Sequence, residues 1–325
     1  MPVEVRLLSH TGLRVSRLSF GTMTFGSQAD LAAADRMVGQ CLEAGINFFD
    51  TANMYNLGKA EEILGKVLAG RRASIVLASK VRQKMGDAPD DVGLSRPAIR
   101  KAVEASLARL QTDYLDLYYL HQPDYATPIE ETLETMDELV RAGKVRYPAV
   151  SNYSAWQVAE IHCIAGKKGY RPPFVSQPMY NLLARGIEDE YLPFCKRFGV
   201  AVVPYNPLAG GLLAGKHSRE AKPLAGSRFD NNALYLGRYW HADYFDAVEE
   251  LKAIAREAGR TLVELALRWL LARPEVDSVI LGASRPEQLA ENLKACEGPA
   301  LDAPVMTRCD AVWKRLRGVT PKYNR

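Results

Sequence analysis

Short apolar runs of strand character alternate with amphipathic runs of helical spacing almost to the end of the chain, and this alternation narrows the fold more than any other feature. Eight strand-like runs follow one another, near residues 18–20, 46–49, 75–79, 115–120, 145–150, 174–177, 200–204 and 278–281. Such alternation predicts parallel strands joined by crossover helices. Eight βα units in 325 residues predict an α/β fold of one kind, a (β/α)8 TIM barrel forming a single domain over residues 1–325. A hairpin is expected ahead of it: Arg6-Leu7-Leu8, a turn near His10-Thr11-Gly12, then Leu13-Arg14-Val15. Between the seventh and eighth strands lies a long loop and helix insertion. It runs from Pro207 through an aromatic stretch (Arg228-Phe229 to Arg238-Tyr239-Trp240) to two expected helices, 244–257 and 262–272.

Several helix starts are explicit. Thr127-Pro128-Ile129-Glu130 reads as a capping box with proline at the first helical position, followed by a buried stripe of Ile129, Leu133, Met136 and Val140 and a stop at Gly143. Ser154-Ala155-Trp156-Gln157 and Ser284-Arg285-Pro286-Glu287 repeat the pattern, and Ser95 is expected to cap a helix that buries Ile99, Val103, Leu107 and Leu110.

In a TIM barrel the chemistry sits at the C-terminal ends of the strands. Asp50, Lys80 and His121 each close a strand-like run, and Tyr55 follows shortly after Asp50. Any one of them alone is more often a cap, a packing aromatic or a solvated strand end. Barrel closure, however, gathers strands two, three and four at one mouth. An acid, a phenol, an ammonium and an imidazole brought together there suit proton transfer to a carbonyl.

Composition removes other classes. A formal charge of +4 over this length predicts no nucleic-acid or membrane partner. The five cysteines are scattered with no paired spacing, which argues against a disulfide framework or a zinc site; no metal is expected, and a reducing compartment is. No apolar run reaches membrane-spanning length and no signal pattern opens the chain, so the cytoplasm is the expected location. Gly210-Gly211-Leu212-Leu213-Ala214-Gly215-Lys216-His217 nearly spells a P-loop, but His217 replaces the Ser or Thr that would hold magnesium.

The run Phe49-Asp50-Thr51-Ala52, then Tyr55, Gly58, Glu61 and Leu64-Gly65, resembles the first signature of the aldo-keto reductases. Leu120-His121-Gln122-Pro123-Asp124 resembles that family's fourth-strand motif, and Gly143-Lys144-Val145-Arg146-Tyr147 through Ser151-Asn152 its fifth. The similarity continues through Gln177-Pro178-Met179-Tyr180-Asn181, Tyr205-Asn206-Pro207-Leu208 and Gly282-Ala283-Ser284 to Glu291-Asn292. The resemblance implies a catalytic tetrad of Asp50, Tyr55, Lys80 and His121. Free tyrosine has a pKa near ~10, and a buried Lys80 ammonium favours phenolate and makes Tyr55 a better acid. Asp50 keeps Lys80 charged by pairing with it, while His121 orients the carbonyl oxygen.

The resemblance also implies a nicotinamide cofactor bound without a Rossmann fingerprint, NADP(H) in preference to NAD(H). Ser151, Asn152 and Gln177 are expected on the carboxamide and Tyr205 on the ring. Further contacts are expected from Gly21, Thr22, Met23 and Asp50, from Asn206, Pro207, Leu208, Gly210 and Lys216, and from Gly282, Ser284, Arg285, Gln288 and Asn292. The 210–217 loop is expected to cover the pyrophosphate. Arg285 and Ser284, at a helix start whose free amides and dipole favour anions, are expected on the adenosine 2′-phosphate. Substrate lining is expected from Met23, Phe25, Met54, Tyr55, Arg82, His121, Tyr125 and Trp240, which suits sugar or aryl carbonyls. The rival expectation is a cofactor-binding regulatory subunit, since potassium-channel β subunits resemble the same branch; those typically carry asparagine where this chain has His121.

Overall fold

A computed structural model describes residues 3–320. Strands β1 (Val5–Leu7) and β2 (Arg14–Ser16) pair antiparallel ahead of an eight-stranded parallel sheet. That sheet comprises β3 (Leu18–Gly21), β4 (Phe48–Asp50), β5 (Val76–Val81), β6 (Leu115–Leu120), β7 (Val145–Ser151), β8 (Val175–Gln177), β9 (Ala201–Val202) and β10 (Val279–Gly282). Each strand lies beside its predecessor, and β10 returns to pair with β3. The last gap closes too. Asp277 N donates to Val202 O (2.9 Å), Ile280 N donates to Pro204 O (3.1 Å), and the Asp277 carboxylate accepts from Val202 N (2.7 Å). The sheet is therefore a closed (β/α)8 barrel with an N-terminal hairpin.

Strand alternation explains where the site residues point. Phe48, Ala78, Ala149 and Val175 belong to one buried cluster within the barrel, joined by Leu8, Leu13 and Val15 from the hairpin segment. Two residues further along each strand, on the same face, come Asp50, Lys80, Ser151 and Gln177. The apolar layer thus gives way to a polar layer at the C-terminal end.

The outer helices are α1 (Leu31–Glu43), α2 (Lys59–Val67), α3 (Arg96–Leu110), α4 (Ile129–Arg141), α5 (Ala155–Lys168) and α6 (Tyr191–Phe198). Beyond β9 come α7 (Ala233–Tyr239), α8 (Ala242–Glu257) and α9 (Leu262–Leu271), and after β10, α10 (Pro286–Cys296) and α11 (Ala303–Arg317). Cα proximity sorts the chain into two compact units. The first holds the residues up to Pro178, with Ile187–Tyr205 and Glu275–Glu291; the second holds Met179–Gly186, Asn206–Pro274 and the residues from Asn292 onward. Among the described residues no helix is long and apolar enough to cross a membrane.

Several local expectations need correction. Asp50 does close its strand, but Lys80 lies inside β5 instead of closing it. Thr127 does not cap α4: Pro128 takes the N-cap position and the Thr127 hydroxyl donates to Asp124 (2.8 Å). The buried face of α4 includes Leu133, Met136 and Leu139, with Ile129 and Val140 only half-buried. Ser95 stands at the N-cap of α3 without a side-chain bond, and Glu131 of α4 instead accepts from Arg96 N (2.8 Å). Ser154 N does donate to Gln157 (2.9 Å) as the sequence pattern predicts. At Ser284 the residue reaching back is Gln288, not Glu287.

Candidate active site

Asp50 and Lys80 project from adjacent strands, paired in register with Asp50 opposite Ala78. Both are buried, Lys80 wholly so. The Lys80 ammonium pairs with Asp50 Oδ1 and donates to Thr51 O (2.7 Å) and to Tyr55 Oη (3.3 Å). Gln177 Nε2 donates to the other Asp50 oxygen (2.8 Å). Desolvation works against the Lys80 charge, but the attraction of Asp50 and then Tyr55 outweighs it and holds its pKa above the ordinary lysine value. A buried cation is thereby kept charged in hydrogen-bond reach of a phenol.

His121 follows β6 and meets Tyr55 edge-on, with ring centroids 6.1 Å apart. Burial, reinforced by the charges of Lys80 and Arg82, depresses its pKa to about 3. The imidazole is neutral at physiological pH. Its Nδ1 is buried and has no hydrogen-bond partner among the described residues. An orphaned acceptor is tolerated better than an orphaned N–H, so the tautomer protonated at Nε2 is favoured.

That depressed pKa has a consequence for stability. The folded form binds fewer protons than the unfolded form below about pH 6.5, so the His121 contribution is complete above that pH and is lost as pH falls toward about 3. Urea unfolding between pH 7 and 4 is expected to show a steeper loss for the wild type than for His121→Gln. Parallel curves for the two proteins would remove His121 from this role.

A second network extends around the barrel mouth. Ser151 Oγ donates to Gln177 O (2.8 Å), and Asn152 Nδ2 donates to Ser151 Oγ (3.0 Å) and His121 O (2.8 Å). The Tyr205 hydroxyl donates to Asn152 Oδ1 (2.7 Å). Asn152 holds this position with a left-handed backbone (φ 62°), a conformation asparagine tolerates better than most residues. Polar side chains from β4, β5, β7 and β8 and the loops after them therefore form one connected belt.

A family model described as the aldo/keto reductase family matches residues 17–314. The chain belongs to that family. A rice (Oryza sativa subsp. japonica) relative described as a probable voltage-gated potassium channel subunit beta is 39% identical over 329 residues, covering 99% of this chain and 100% of that protein. An uncharacterized oxidoreductase, YrpG, of Bacillus subtilis (strain 168) is 38% identical over 331 residues, covering 98% and 99%. Rat aflatoxin B1 aldehyde reductase member 2 is 36% identical over 322 residues, covering 94% of this chain and 86% of the relative.

With the family in view, the remaining expected residues separate by position. Thr22 is fully buried, and both its amide (2.9 Å) and its hydroxyl (3.1 Å) donate to Asp50 O, so it ties β3 to β4. Gly21 pairs with Gly282 at the strand ends, and a Cβ there would meet Ile280 Cγ2 at 2.9 Å. Met23, Met54 and Arg82 are half-buried. Phe25 has no exposed surface and packs on Phe20, so it belongs to the wall and offers nothing to a substrate. Tyr125 is 84% exposed, its hydroxyl accepting from Gln157, and encloses nothing.

Ser284 lies before α10 with its amide (2.9 Å) and hydroxyl (3.2 Å) directed to Gln288 Oε1, while Arg285 is exposed with no side-chain partner among the described residues. In the second unit, Asn206 and Pro207 are buried, Leu208 and Gly210 half-buried, Lys216 exposed and Asn292 buried. His217 stacks edge-on against Phe229 and Trp240, so the P-loop-like stretch ends in an aromatic cluster and Trp240 is part of that packing. Sequence reasoning missed Thr51, whose backbone carbonyl holds Lys80; a main-chain acceptor leaves no mark on residue type.

Proposed function

We propose that this protein is an NADP(H)-dependent reductase that converts an aldehyde or ketone to its alcohol, with Asp50, Tyr55, Lys80 and His121 as its catalytic residues. The observation that carries the reading is the chain from buried Asp50 and Lys80 to half-buried Tyr55, beside a neutral His121. Family members generally use NAD(P)H. The residues fit such a group: Thr51 Oγ1, Asn53 Oδ1, Arg82 Nε and His121 Nδ1 are buried without partners among the described residues, as befits a site built for a polar occupant. Ser151, Asn152 and Gln177 would hold the carboxamide, with the Tyr205 ring on the nicotinamide. When bound, the cofactor supplies a hydride to the carbonyl carbon.

The chain's own residues do the rest. His121 Nε2–H donates to the carbonyl oxygen and orients it. Tyr55 Oη donates its proton to that oxygen as negative charge develops, and the Lys80 ammonium stabilises the phenolate left behind. Asp50 and Thr51 O hold Lys80 in place. An NADPH absorbance assay over short-chain, aryl and sugar carbonyls tests the reading; cofactor binding without turnover of any of them would favour the binding-subunit alternative. That alternative draws on the name of the rice relative.

The cofactor preference rests on Arg285. Its guanidinium can form paired, charge-assisted bonds to a 2′-phosphate that NAD lacks. Since Gln288 already occupies Ser284 N, the arginine is the main phosphate contact. Arg285→Ala is expected to weaken NADPH binding about 10- to 100-fold, the scale of a hydrogen bond to a charged group, and to leave NADH binding nearly unchanged. Fluorescence titration of both cofactors decides it: equal losses would leave the preference without its physical basis.

A further inference from the structure

Glu61, in the first turn of α2, has no exposed surface. Its Oε2 accepts from Arg109 Nε and Arg109 Nη2, both at 2.8 Å, and its Oε1 accepts from the Ser79 hydroxyl. Three elements meet at this carboxylate: α2, the end of α3, and the outer face of β5. Ser79 is the residue before Lys80. Strand alternation sends its side chain outward to Glu61 while Lys80 points inward to Tyr55.

The segment between Tyr55 and α2 needs such an anchor. Asn56 (φ 50°), Leu57 (φ 51°) and Gly58 (φ 88°) are three consecutive left-handed residues. Leu57 is 73% exposed and has no polar side chain to favour that backbone. On one side the turn is stapled by Asn56 Nδ2, which donates to Phe25 O (2.7 Å) and Met23 O (3.1 Å). On the other it rests on Arg109: a Cβ at Gly58 would meet Arg109 Cδ and Nε at 2.8 Å, and one at Gly65 would meet Arg109 O at 2.5 Å. The same guanidinium thus supports the turn and neutralises Glu61.

We propose that Glu61, Ser79 and Arg109 are positioning residues that lock the Tyr55 turn to β5, and so set the phenol against the Lys80 ammonium. The Lys80–Tyr55 contact, at 3.3 Å, is already at the long limit of a hydrogen bond, so a small slide of α2 along β5 breaks it. The inference deepens the reductase reading and rests on it for its effect on turnover. Its effect on the phenol does not depend on turnover.

Ser79→Ala removes one hydroxyl and leaves the Glu61–Arg109 pair intact. It is expected to lower kcat about 10- to 100-fold, as small misplacements of a catalytic group do, with the cofactor Kd unchanged. The groups that meet the phenol include Lys80 from β5, itself paired with Asp50 from β4, and His121 after β6. With Lys80 less well aligned, the pH limb of kcat moves to higher pH, and so does the titration of the Tyr55 ring-carbon NMR resonance, identified by its loss in Tyr55→Phe. Ser79→Thr, which keeps the hydroxyl, restores both; Glu61→Gln, which keeps the shape and drops the charge, falls between. A Ser79→Ala protein with unchanged kcat, pH limb and Tyr55 titration overturns the proposal, even if its melting temperature drops. A wild type without reductase activity whose Tyr55 titration still moves in Ser79→Ala overturns the reductase reading and keeps the positioning role.

Discussion

Tyr55→Phe is expected to bind the cofactor as the wild type does and to lose most carbonyl reduction, by about 100- to 10,000-fold, the usual worth of a positioned acid. The substitution removes one oxygen and little else. Lys80 retains Asp50 and Thr51 O as partners, so no buried charge is orphaned and the fold has no reason to change. Neutral His121 does not substitute: its depressed pKa leaves no imidazolium to give up a proton near pH 7. Single-turnover reduction with saturating NADPH isolates the chemical step. A Tyr55→Phe rate near that of the wild type, with the chemical step limiting, would take the acid role away from Tyr55.

The barrel is legible in the sequence because its strands are buried on both faces and read as apolar runs between helices. Leu115–Leu120 matches its expected limits, while β9 stops at Val202, short of the expected 204. Pro204 explains part of this: it has no N–H to continue the ladder, and its carbonyl is turned to Ile280. The tetrad is legible for the complementary reason, since charged or titratable residues at the ends of apolar strands stand out. Capping was less legible. Ser and Thr mark a helix start, but which acceptor reaches back depends on side-chain length and helix phase, so Gln288 displaces Glu287 and Glu131 of another helix serves α3.

The elements missed outright had weaker or overlooked signals. Helix α7 contains Gly237 and two tyrosines and reads as an irregular aromatic stretch. Helix α11 did carry a signal: Asp302 caps Val305 N (2.9 Å), Pro304 stands in the first turn, and Val305, Cys309 and Val312 keep helical spacing. Glu61 could not have been placed from composition, because a glutamate on a helix is expected in solvent. Only the packing of α3 against α2, permitted by Gly58 and Gly65, reveals that it is enclosed.

Lys80→Met should cost both activity and stability, and the pairing of the two losses is the diagnostic. Methionine fills much of the lysine volume, so the cavity contribution is small. The carboxylate of Asp50 keeps the Gln177 amide on Oδ2 but loses the cation on Oδ1, inside a site with almost no exposed surface. Breaking a buried pair by removing one partner commonly costs ~3–5 kcal/mol, because the remaining charge is uncompensated. Tyr55 loses its phenolate-stabilising neighbour at the same time, so turnover falls with stability. The double variant Asp50→Asn/Lys80→Met separates the effects: removing the orphaned charge should recover much of the stability and none of the activity. Denaturant unfolding and NADPH-linked turnover of the three proteins test this together. A Lys80→Met protein as stable as the wild type would mean that the ion pair serves the phenol without holding up the fold.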